Sequence, residues 1–86
     1  MREMLEKFAS ENDVELLFCD GHDNAILGLG RKFNSFSIIY STKKVIENLM
    51  SDMDYDDAIE YFEFNIAGAY VGDATPTFMI DDGFGE

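Results

Sequence analysis

Cys19 and His22 stand three apart, each followed directly by an aspartate, Asp20 and Asp23, the residue types from which a thiol nucleophile with its base, or part of a metal site, is built. Either chemistry needs a third group, and the chain has one Cys and one His. No second soft ligand completes a zinc site, and the Asp, Gly and Asn of DGHDN are the residues that tight turns require. The pair is read as an ordinary turn. Gly28-Leu29-Gly30 ahead of Arg31-Lys32 has the look of a phosphate loop but lacks its third glycine and its Lys-Ser/Thr. These glycines are read as allowing close backbone packing, and the two cations as pairing with acids of the same domain.

The densest run of chemistry-bearing residues is Asp52, Asp54, Asp56, Asp57, Glu60 and Glu63. Asp52, Asp54 and Asp56 with Glu63 occupy positions 1, 3, 5 and 12 of a calcium loop, where oxygen ligands belong. Position 6, which demands glycine, is Asp57. Asp54 is also an N-cap for a helix beginning at Tyr55, and a helix is incompatible with an extended loop. Calcium binding stays as an alternative. On a helical wheel Tyr55, Ile59, Phe62, Ile66 and Tyr70 form one stripe, while Phe64 points the opposite way among the acids. An aromatic ringed by carboxylates on an outer helix face suits a basic partner as anchor and rim. A helix sandwiched by a second neighbour over Tyr61, Phe64 and Gly68 fits the same periodicity. Asp52, Asp54, Asp56, Asp57, Glu60, Glu63 and Phe64 are therefore the candidate partner-binding residues, with no catalytic residue, no metal ligand and no cofactor expected.

Charge placement supports a binding role. All six basic residues lie in the first 44 positions beside seven acids, and the remainder holds eleven acids without Lys or Arg, for a net charge of −12. Such a field repels phosphates and draws in basic surfaces. Direct nucleic-acid binding is disfavoured, though acidity also serves plain solubility. One cysteine cannot form an internal disulfide, no run approaches the length needed to cross a bilayer, and no secretion leader is evident, so a cytosolic, non-membrane protein is expected. At 86 residues the core is small enough that a partner or self-association would help stabilise it.

The elements that must position these residues follow from local pattern. Residues 1–10 read as a helix and 14–19 as a strand ended by Asp20-Gly21. Residues 23–34 fit a helical stripe of Ile26, Leu29 and Phe33, with a glycine-kinked hairpin strand as the rival; the helix is preferred. Residues 36–40 read as a strand, and Ser41-Thr42 caps a helix with Val45, Ile46, Leu49, Met50 and Met53 on one face. Residues 54–71 give the strongest helix, with Ile59, Phe62 and Ile66 buried and Gly72 ending it. Residues 75–80 read as an edge strand led by Pro76. The expectation is a single α+β domain over 1–80, helices on one face of a small sheet, with 81–86 as a loose acidic tail.

From roughly Leu17 to Met79 the chain resembles small, largely uncharacterised proteins encoded by tailed bacteriophages. The resemblance rests on SIIYSTKKVIENLM and above all on YFEFNIAGAYVGDATPTF, where Phe62, Asn65, Gly68, Tyr70, Gly72, Thr75 and Pro76 match together. It implies a phage gene expressed in the host bacterial cytoplasm, and it carries no known activity. By analogy with acidic phage proteins, the expected function is inhibition of a host nucleic-acid enzyme or an antiphage defence system, such as a CRISPR or restriction nuclease, by mimicry of nucleic acid. A virion assembly module acting through self-association is the alternative class.

Overall fold

The computed structural model describes residues 1–33, 35–69, 72 and 74–81. The first helix, α1 (Arg2–Asn12), closes on Asp13 in the left-handed conformation (φ 54°), with the Val14 N–H donating to the Ala9 carbonyl at 3.0 Å. It buries Leu5 and sets Phe8 edge-on to Phe36 at 5.2 Å. Met1 and Met4, which share the helical spacing of Leu5 and Phe8, are exposed.

Residues 14–19 do not form the expected strand. Strands β1 (Ile26–Lys32), β2 (Ser35–Ser41) and β3 (Thr77–Met79) make a sheet of order β1-β2-β3, and this run pairs with none of them. Its apolar side chains serve the core directly: Leu16, Phe18 and Cys19 pack against the buried cluster. The run is pinned by the Cys19 N–H, which donates to the Tyr40 hydroxyl at 2.7 Å. Apolar content of this kind signals burial, not ladder pairing.

The helix expected over 23–34 is a short 3-10 turn, Asp23–Ala25, followed by strand β1. The irregularity between Ile26 and Gly28 explains the misreading. Ile26 pairs with Tyr40 and Gly28 with Ile39, so Leu27 is an extra residue and the strand slips by one. Ile26 and Leu29, three apart, then face the same side, opposite Tyr40 and Ile38. A bulged strand thereby imitates helical spacing. Phe33, the third member of the supposed stripe, sits at the hairpin turn with φ 54° and is 91% exposed.

β2 supplies the centre of the core, with Ile38 and Tyr40 fully buried. β3 joins it in parallel, pairing Phe78 with Tyr40, and the two rings stack at 5.8 Å. A parallel pair needs a crossover, and two helices provide it. In α2 (Thr42–Leu49) Ser41 caps the start, its Oγ accepting from the Lys44 N–H at 3.0 Å. Val45 and Ile46 are buried, Leu49 and Met53 pack partly, and Met50 is exposed. Asp81, assigned to a loose tail, is tied to this start: its carboxylate accepts from the Ser41 hydroxyl and, at 3.0 Å, from the Lys43 N–H. The rest of the expected tail lies outside the described residues.

α3 (Tyr55–Tyr61) begins where expected, Asp54 Oδ1 accepting from the Asp57 N–H at 2.9 Å. From Phe62 to Ala67 the helix widens into a π-helical segment capped at Gly68, so it ends before the expected limit; Tyr70 and Val71 lie outside the described residues. Gly72 has φ 119° but is not the cap. Phe62 is buried and meets Phe78 edge-on at 5.2 Å, whereas Ile59 and Ile66 are half-buried and Tyr55 is exposed. Ala58, absent from the expected stripe, is fully buried. The architecture is α+β, with helices on the face bearing Ile38, Tyr40 and Phe78. The opposite face is mostly polar, with Ser37 and Thr77 hydroxyls bonded at 2.8 Å.

Candidate partner-binding face

Asp54 capping fixes where α3 starts, the α-helical period sets the outside of α3 through Tyr61, and the π-helical segment that follows carries Phe64. Asp57, Glu60, Tyr61 and Phe64 stand at i, i+3, i+4 and i+7, one stripe turned from the core. With Met53 and Asn65 they line an open cleft of about 400 Å³. Phe64 is 78% exposed and Tyr61 44%, so among the described residues no second neighbour sandwiches the helix. A bare aromatic in a cleft with two carboxylates offers an apolar contact together with charge complementarity to a cation.

The other expected site residues are exposed but do not line this cleft. Asp52 lies in the turn after α2, its N–H donating to the Leu49 carbonyl at 3.2 Å. Asp54 is committed to its own helix, and Asp56 and Glu63 lie on the flank. Among the described residues no ion pair involves any of these six acids. The backbone from Tyr55 onward is helical, so Asp56 and Glu63 do not converge with Asp52 and Asp54 as a calcium loop requires. Among the described residues no group of three or more His, Cys, Asp or Glu is arranged to hold a metal. Tyr61, Met53 and Asn65 were not among the expected partner-binding residues, Tyr61 being read as packing a second neighbour and Met53 as part of the apolar face after Ser41; the place of Tyr61 on this face was legible as the residue four after Asp57 and three before Phe64.

A second cavity, of about 440 Å³, gathers Cys19, Asp20, His22, Tyr61 and Asn65 above an apolar floor that includes Leu49, Ile66 and Phe78. Burial pushes the Cys19 thiol above its ordinary range, against an opposing hydrogen bond from Tyr40, which makes it a poor nucleophile. Burial lowers the His22 pKa. Its Nδ1 accepts from Asn48 Nδ2 at 3.1 Å, and Asn48 exchanges a reciprocal amide pair with Asn24. His22 thus braces the DGHDN turn against α2, a tertiary role for residues read as a local turn.

The two cations expected to pair with acids of the domain, Arg31 and Lys32, form no ion pair among the described residues, while two others do. Arg2 reaches Asp23 at 3.0 Å and lies 4.3 Å from the Phe18 ring centre, and Lys44 stands 3.8 Å from Glu47. Arg31 and Lys32, at the hairpin end, are exposed. Comparison with family models, with curated proteins and with solved structures gives no match in any of the three.

Proposed function

We propose that this protein is an acidic binding module that docks α3 on a basic protein surface and thereby inhibits a host nucleic-acid enzyme or an antiphage defence nuclease. The observation that carries the reading is Phe64, 78% exposed in a cleft shared with Asp57 and Glu60. An exposed aromatic costs solubility when free and is recovered as an apolar anchor when bound. The eleven acids and absent cations after position 44 give that half of the chain the sign of a phosphate backbone. In this reading the carboxylates occupy a groove built for nucleic acid. The phage setting comes only from the resemblance, carried by residues 37–50 and above all 61–78.

The test is capture from a bacterial lysate with the native chain and with Asp57→Lys/Glu60→Lys, followed by competition with duplex DNA. A nucleic-acid-binding enzyme held only by the native chain and displaced by DNA is the expected result. Equal recovery by both chains removes α3 from the mechanism.

A further inference from the structure

We infer that the protein also self-associates head to tail, the β1–β2 hairpin tip of one copy seating in the α3 cleft of the next; this rests on the α3 cleft being a docking face. The tip is a knob of defined chemistry. Phe33 is 91% exposed and held at φ 54° by the turn, and the exposed Arg31 and Lys32 precede it. The cleft is its complement: Met53, Tyr61 and Phe64 offer apolar and aromatic walls, and Asp57 and Glu60 offer two carboxylates for two cations. An aromatic knob meets aromatic walls, and a guanidinium can lie over Tyr61 or Phe64 while paired to an acid. Knob and cleft share no residue, so one copy gives and receives at once. Such a contact is heterologous and propagates into a ring or a chain instead of closing as a two-fold dimer.

Two opposing electrostatic terms set the conditions. Whole molecules of net charge −12 repel one another at long range, while the knob and cleft attract at contact. At about 0.1 M salt the Debye length of about 10 Å damps the first more than the second; at about 1 M, with a length of about 3 Å, the contact pairs are screened as well.

The experiment is sedimentation equilibrium of the full chain over a wide concentration range at both salts. The expected mass is that of the 9.8 kDa monomer when dilute, rising about twofold or more at high concentration in the lower salt and falling back in the higher. Arg31→Glu/Lys32→Glu and Asp57→Lys/Glu60→Lys should each stay monomeric alone, and an equimolar mixture of the two should recover the association. The second variant has four fewer negative charges net, so a nonspecific charge effect predicts stronger association where knob-in-cleft docking predicts loss. Recovery in the mixture also shows that both variants are folded. A constant monomer mass for the native chain, association surviving either reversal, or a mixture that stays monomeric overturns the inference. Arg31→Glu/Lys32→Glu spares α3, so it should lose self-association and keep any foreign partner, which separates failure here from failure of the proposed function.

Discussion

Two aromatic residues at opposite extremes of burial separate stability from function. Tyr40 is fully buried, its ring is stacked on Phe78, and its hydroxyl accepts from the Cys19 N–H. Burial raises its pKa, so the phenol stays protonated. Tyr40→Phe keeps the ring and strands one backbone donor, a change expected to cost about 1–3 kcal/mol in chemical unfolding. Faster amide exchange at Cys19 would locate the cause. Phe64→Ala should move stability by no more than about 0.5 kcal/mol, as an exposed site does, yet weaken partner binding by about 2 kcal/mol through faster dissociation. Unchanged binding would remove Phe64 as anchor. Phe64 was legible in the sequence because helical periodicity is a local property. The Cys19 to Tyr40 bond was not, since it joins residues 21 apart and depends on how the fold closes.

Glycines test the elements. A Cβ at Gly68 would lie 2.9 Å from the Glu63 carbonyl oxygen, a backbone atom that the π-helical segment holds in place. Gly68 caps the segment, where the propensity gain of a helix interior does not apply, so an alanine there meets only the clash, costing about 1–3 kcal/mol, and Gly68→Ala should destabilise. Gly28, beside the bulge, has nothing within 4 Å of its Cβ position, and Gly28→Ala should be neutral or add about 0.5–1 kcal/mol. Thermal melts of the two variants should move in opposite directions or differ by several degrees; equal shifts would show that the close approach at Gly68 relaxes freely. The capped elements, α2 and the start of α3, were legible because Ser41 and Asp54 announce them from one side chain. The bulged β1 was not: one inserted residue converts alternation into a three-residue spacing, and only pairing with β2 reveals it. Likewise the widening of the helix after Tyr61 leaves no mark in apolar spacing, so the expected boundary overran the observed one.

Over the whole molecule, low pH acts on two braces that span elements. Asp81 ties the chain after β3 to the start of α2, and His22 ties the DGHDN turn to Asn48 of the same helix. For Asp81, burial acts to raise the pKa, but hydrogen bonds from the Ser41 hydroxyl and the Lys43 N–H, with the charge of Lys43, leave it below the ordinary carboxylate value of 3.8. A carboxyl with a depressed folded pKa contributes stability above its unfolded value and loses it as pH falls through the folded one. His22, depressed by burial from 6.5, has the same sign: its neutral form is the folded form, and acidification below that value favours the unfolded chain, which takes up the proton first. Two windows follow, one opening just below pH 6.5 and one below about pH 4. Urea unfolding of the native chain and of Asp81→Asn should show a stability gap that is constant from pH 7 to about 5 and narrows below about 4, where the native carboxyl also becomes neutral. An NMR titration should place His22 below its ordinary value and on the first window. A gap that persists unchanged to pH 2.5 would mean that the clasp works through the neutral hydrogen bonds alone, and that the charge of Asp81 contributes nothing to joining the end of the sheet to α2.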